Sequence, residues 1–187
     1  MCRDNPDLRF ETDKHGKPIV MPPTGSLTGK RNGDLFGQIW YWNRQCKLEK
    51  VFDSSTGFRM FNGAIRSPDV SWIASDRWNS LSDKQKHGYA PIDLDFTIKL
   101  LSPSDSLAEA QGKKQEYMDC GVKLGWLIAY GNPTLLCNGE SSEMINPDSR
   151  EVEIYRNGKD KETLNNLSSI SGEDILPGLT VNLTEIF

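Results

Sequence analysis

Apolar positions along this chain follow two rhythms, a period near 3.6 in two segments and a period near two in most others. Leu35, Ile39, Trp42 and Cys46 recur at steps of four, three and four, so residues 26–45 read as a helix with one core-facing stripe. Trp40 and Trp42 are read as core residues of that helix. Before it, residues 11–21 read as a short hairpin, a polar turn DKHGK followed by the strand PIVM. After it come strands at 50–53 and 57–61, the second closed by Asn62-Gly63, a type I′ signal. A strand at 69–74 precedes a polar stretch, 75–88, whose main pattern is a short helix at 82–87. DFTIKLL, residues 95–101, is a strongly apolar strand stopped by Pro103.

Ser106 and Glu109 form an S-x-x-E box that opens a second long helix, running to about Cys120. Gly121 sits where a left-handed helix stop is expected. The strand LGWLIA follows at once, so 95–129 is strand, helix, strand, the unit that joins parallel neighbours by a crossover. EVEIYR is a further strand ending in an Asn157-Gly158 turn, and LTVNLTEIF reads as an alternating strand at the tail. Many strands with two or three helices make a mixed sheet, α/β or α+β in class, and one domain over 1–187.

Composition narrows the function. The chain has 187 residues, 36% hydrophobic and 26% charged, which is globular rather than self-repelling. Without an 18-residue apolar run or an apolar signal core, neither a membrane span nor secretion is expected, and a cytoplasmic setting is. A net charge of −4 excludes coating nucleic acid by bulk charge, though not a local nuclease site. Cys2, Cys46, Cys120 and Cys137 form no CxxC pair, and only His15 and His87 could join them, so zinc and Cys–His or Ser–His nucleophiles are not expected. Chemistry, if present, rests on carboxylates, lysine and a bound metal.

Three places could carry it. Ser67-Pro68-Asp69 sets a carboxylate at the start of a strand, where a simple turn role is the plainer alternative. In DFTIKLL, Asp95, Thr97, Lys99 and Leu101 share one face, and Phe96, Ile98 and Leu100 the other. A lysine amid an apolar strand must reach solvent or meet a carboxylate such as Asp69. On the following helix Lys113 and Tyr117, four apart, share a face that pattern alone reads as solvated.

NPDLRFE, MPPTG, VFDSSTGFRMFNGAIRSPDVSWIASDRW, SPSDSL, KQEYMDCGVKLGWLI, EVEIYR and SGEDILPGLTVNLTEIF succeed one another over essentially the whole chain. In that order they resemble the Uma2 family, which is similar to the PD-(D/E)xK nucleases. The resemblance implies a restriction-endonuclease-like mixed sheet flanked by helices, with acids holding Mg²⁺ at one edge to cleave DNA. Such hydrolysis uses a carboxylate-bound cation to polarise the phosphate and generate hydroxide, with a lysine to orient water or steady developing charge. Carried over, Asp69 matches the first metal-binding acid and Lys113 the helix lysine that serves as the catalytic lysine. Glu11 matches a recurrent acid that adds to the metal site.

The second acid departs from the pattern. The family reads roughly PDFVIELxSPSD where this chain reads LDFTIKLLSPSD, so Lys99 falls on the acid and Leu94 on the proline. An ammonium about 5 Å from a dication, at an effective dielectric of about 20, is repelled by roughly 3 kcal/mol for each unit of charge on the cation. Lys99 is therefore expected to pair with Asp69 in the metal's place, and cleavage to be impaired. A non-catalytic DNA- or protein-binding homologue and a structural homodimer are the alternatives. A further departure is an insert at about 129–145, read as a tolerated surface loop, with a hairpin or partner-binding flap as the other readings. The tail strands and hairpin edges make a homodimer the expected assembly.

Overall fold

The computed structural model describes residues 9–21, 23–46, 49–102, 105–130 and 150–187. β1 (Arg9–Thr12) and β2 (Pro18–Met21) form the expected hairpin around the DKHGK turn. α1 (Ser26–Cys46), β3 (Glu49–Asp53), β4 (Phe58–Arg59), β5 (Ile65–Arg66) and β6 (Val70–Ala74) follow. Two short helices, α2 (Ser75–Asn79) and α3 (Asp83–Lys86), and β7 (Ala90–Pro91) lead to β8 (Phe96–Leu100). α4 (Leu107–Asp119) then crosses to β9 (Leu124–Tyr130), and β10 (Arg150–Arg156), β11 (Glu162–Asn165), β12 (Ser169–Ser171) and β13 (Thr180–Asn182) complete the order.

A six-stranded sheet, β11-β10-β9-β8-β6-β3, organises the chain. Only β8 and β9 run parallel in it, as the strand–helix–strand pattern requires. One face carries Phe96, Ile98 and Leu100 of β8 with Trp126 and Ile128 of β9, packed under Leu35 and Ile39 of α1 and Leu179, Val181 and Ile186 of the tail. The opposite face meets Ala110, Tyr117 and Met118 of α4, together with Phe58 and Leu94 beside a second sheet, β2-β1-β5-β4-β7. The period of two in DFTIKL thus sorts its residues between two buried layers. A third sheet pairs β12 with β13.

Several expectations need correction. Trp40 is 45% exposed; one residue on from Ile39, it is turned about 100° off the buried stripe. Neither Asn-Gly pair makes a type I′ turn, since only the glycines, Gly63 (φ +91°) and Gly158 (φ +71°), are left-handed. Gly63 N donates to Met60 O, so Asn62 is the last central residue of an ordinary turn and Gly63 follows it; Lys159 N donates to Arg156 O, so Asn157 and Gly158 are both central, with positive φ at the glycine alone. At α4 the Ser106 hydroxyl accepts from Glu109 N at 3.4 Å, one half of the box, while the full reciprocal box caps α3 through Ser82 and Gln85. The tail strand covers only Thr180–Asn182. Of the insert, Ala129 and Tyr130 are ladder residues of β9, paired with Glu151 and Arg150, and the rest lies outside the described residues, as do Cys2, Pro103 and Cys137. No helix among the described residues is long and apolar enough to cross a membrane.

Candidate active site

The edge between the two sheets opens into a cavity of about 310 Å³. Glu11 of β1, Asp69 ahead of β6, Lys99 of β8 and Lys113 of α4 all line it, so the fold brings the four sequence candidates together. Asn32, Asp105 and Lys114 line it too, and sequence reasoning missed these; Tyr117 also lines it, and the face read as solvated is wrong for this residue, which is 5% exposed against the sheet.

Asp69 is fixed by the strand pairing around it. Its backbone N–H donates to Ile98 O at 3.1 Å, and its Oδ2 accepts from Leu100 N at 2.8 Å. Asn32 Nδ2 reaches its Oδ1 at 3.4 Å. Lys99 Nζ lies 3.4 Å from Asp69 Oδ2 and 2.9 Å from Asp105 Oδ2, bridging the two carboxylates. Burial opposes the Lys99 charge, but Asp69 and then Asp105 outweigh it, so the ammonium titrates above the ordinary lysine value. Burial likewise opposes the Asp105 charge, and Lys99 first among its partners brings that carboxyl below the usual range.

Glu11, 3% exposed, is saturated as well. Its Oε1 accepts from Ser67 N at 2.9 Å, and its Oε2 meets Arg66 Nη1 at 3.2 Å and Lys113 Nζ at 3.0 Å. Arg66 continues the chain of charges to Glu116, 2.6 Å from its Nη2. Lys113, with its side chain 35% exposed, therefore stands at the rim as the partner of Glu11.

Lys114 goes inward instead. It is 1% exposed, and its Nζ donates to Thr97 O and Thr97 Oγ1, each at 2.9 Å. Burial is the main cause holding this amine well below the lysine range; Asp69 works against the shift and Lys99 with it. A signal for Lys114 did exist in the sequence. Ala110, Lys114, Tyr117 and Met118, at i, i+4, i+7 and i+8, form the buried stripe of α4.

These residues do not fit a Mg²⁺ ion. The Oδ2 of Asp69 faces an ammonium, both oxygens of Glu11 already hold cations or N–H donors, and Lys99 offers no oxygen. Among the described residues no group of three His, Cys, Asp or Glu side chains is placed to hold a metal.

A mixed sheet with acids and lysines gathered beside its parallel strand pair defines a protein of nuclease-like fold. Residues 1–184 match the Uma2 family, described as "Putative restriction endonuclease", and the chain belongs to that family. Among solved structures it is similar to one titled a "putative nuclease belonging to DUF820" from Anabaena variabilis. That likeness has a TM-score of 0.72 at 18% identity and covers 95% of this chain and 89% of the other. No curated protein matches it in sequence.

Proposed function

We propose that this chain is a DNA-contacting Uma2 protein of the Mg²⁺-dependent endonuclease type in which hydrolysis is impaired. The observation that carries this reading is the Lys99 ammonium, held between Asp69 and Asp105 at 3.4 and 2.9 Å. It takes the position of the family's second acid, removes a metal ligand and cancels the carboxylate charge a dication would need. The cavity that remains is walled by two sets of ion pairs, Asp69–Lys99–Asp105 and Glu11–Lys113, and the DNA contact is carried by membership of the Uma2 family.

Plasmid nicking across a Mg²⁺ titration tests the reading. Cleavage by the unaltered chain is expected at background, and Lys99→Glu is expected to bind Mg²⁺ and nick. Robust cleavage lost in Asp69→Ala would overturn the impairment. DNA affinity that weakens steeply with salt supports the contact surface, and its absence favours the structural homodimer instead.

A further inference from the structure

The charged groups that line the cavity already have partners. Lys99 bridges Asp69 and Asp105, Lys113 and Arg66 share Glu11, and both Lys114 bonds go to Thr97. Among the described residues, neither an anion nor a cation finds an unpaired counter-charge there. Tyr117 differs from all of these. It is 5% exposed, and its hydroxyl has no hydrogen-bond partner among the described residues. Unlike the unpartnered indole nitrogens of Trp72 and Trp126, that hydroxyl is not sealed off, and the tyrosine lines the cavity. Burial, and then the Glu11 carboxylate, hold its proton well above the ordinary phenol range, so it stays a donor. A nearly buried donor without an acceptor costs free energy that a ligand's acceptor recovers.

We infer that the cavity is a nucleobase pocket, in which the Tyr117 hydroxyl donates to a ring nitrogen or carbonyl oxygen of the base. That the base belongs to DNA rests on the function proposed above; a free nucleoside offers the same chemistry. A base is uncharged, carries acceptors along its edge and presents flat apolar faces. Those properties match the paired charges, the free phenol and the apolar walls supplied by Met21, Pro23, Pro68 and Ala110. A phosphate would meet ammoniums that carboxylates already hold, with the Glu11 and Asp69 charges beside the phenol opposing it. At about 310 Å³ the cavity lies at the small end of ligand sites, with room for one ring system and not for a stacked pair. In a duplex the bases are stacked and paired, so the base that enters is one unpaired or swung out of the helix.

The full chain, in EDTA, is titrated with the deoxynucleoside of 2-aminopurine and with a single-stranded oligonucleotide carrying one such base, following its fluorescence. A saturable change in emission is expected with both probes, and Tyr117→Phe should weaken each by about tenfold, the worth of one hydrogen bond. The same variant should keep the melting temperature of the unaltered chain, because the hydroxyl it removes has no partner in the fold. Nucleoside binding without oligonucleotide binding supports the pocket and overturns DNA as the source of the base. Salt-dependent oligonucleotide binding with no change in emission overturns the pocket and spares the DNA reading. Binding of neither probe overturns the proposal. So do equal affinities in Tyr117→Phe and the unaltered chain, and a lowered melting temperature beside those equal affinities marks Tyr117 as a packing residue.

Discussion

Lys99 and Lys114 project from neighbouring elements into one cavity, and their surroundings drive them to opposite ends of the lysine range. Lys99 has two carboxylates and holds its proton more tightly; Lys114 is buried with only neutral acceptors and holds its proton less tightly. Stability should register both. For Lys114, between its lowered folded value and the unfolded value of about 10.5, the unfolded chain binds one proton more than the native chain. Stability contributed there rises with pH, by about 1.4 kcal/mol per unit for one proton. Urea denaturation over a pH series approaching 10.5 from below should show that slope, and Lys114→Met should remove it; no change of slope on substitution means that burial does not lower the Lys114 value in the fold. Lys99 contributes in the other sense, its share being complete below 10.5 and lost only above its raised folded value. At the acid end Asp95 and Asp105, both lowered, contribute above about 3.8 and lose their share as pH falls through their folded values. Lys99→Met leaves two carboxylates facing each other and should cost about 2 kcal/mol in urea unfolding at pH 7, between the exposed and buried limits for a broken ion pair. Charge alone left Lys99 either reaching solvent or meeting a carboxylate such as Asp69, because an apolar strand cannot bury a lone ammonium; the family resemblance, by setting Lys99 on the second acid, selected the pairing. Lys114 was not legible, because Tyr117 stands four residues from Lys113 and three from Lys114, and spacing alone does not say which lysine shares its buried stripe.

At the scale of elements, legibility tracked length. The 21-residue α1, the 13-residue α4 and the seven-residue β9 each repeat a period often enough to be read. β5 and β7 have two residues each and carry no period, so tertiary pairing alone makes them strands, whereas β4, equally short, falls within the strand expected at 57–61. The tail shows a similar limit. LTVNLTEIF alternates, yet its chain turns after Asn182, with Leu183 N bonded to Ser168 O and Ile186 N to Leu183 O. Its packing depends on Gly172, where a Cβ would come within 2.6 Å of Leu176 Cβ and 2.7 Å of Leu176 O. The obstructing atoms include backbone, so they cannot swing aside. Gly172→Ala should therefore cost about 3 kcal/mol, the upper end for overpacking, read as a lowered melting temperature by circular dichroism. A change within error would mean that the Leu176 turn relaxes freely.

Over the whole molecule, the six-stranded sheet separates two jobs. Its α1 face is an apolar core closed by the tail, with Gln38 of α1 bonded to Asn182 through both its side-chain amide and its carbonyl. Its α4 face holds the cavity and the ion-pair chain Lys113–Glu11–Arg66–Glu116, which ties the second sheet to α4. The site thus depends on the register of β6, β8 and β9, and only remotely on the connection between β9 and β10. Those two strands pair along their full length, from Leu124↔Arg156 to Tyr130↔Arg150, so the ladder itself brings the ends of residues 131–149 together. Replacing 131–149 with a two-residue Asn-Gly hairpin turn should leave the fold and the Lys99–Asp69 pair in place. The shorter connection costs less closure entropy, so the unfolding free energy should rise by about 2 kcal/mol in urea denaturation. A fall in stability, or loss of cooperative unfolding, would mean that these residues supply packing the β9–β10 ladder does not.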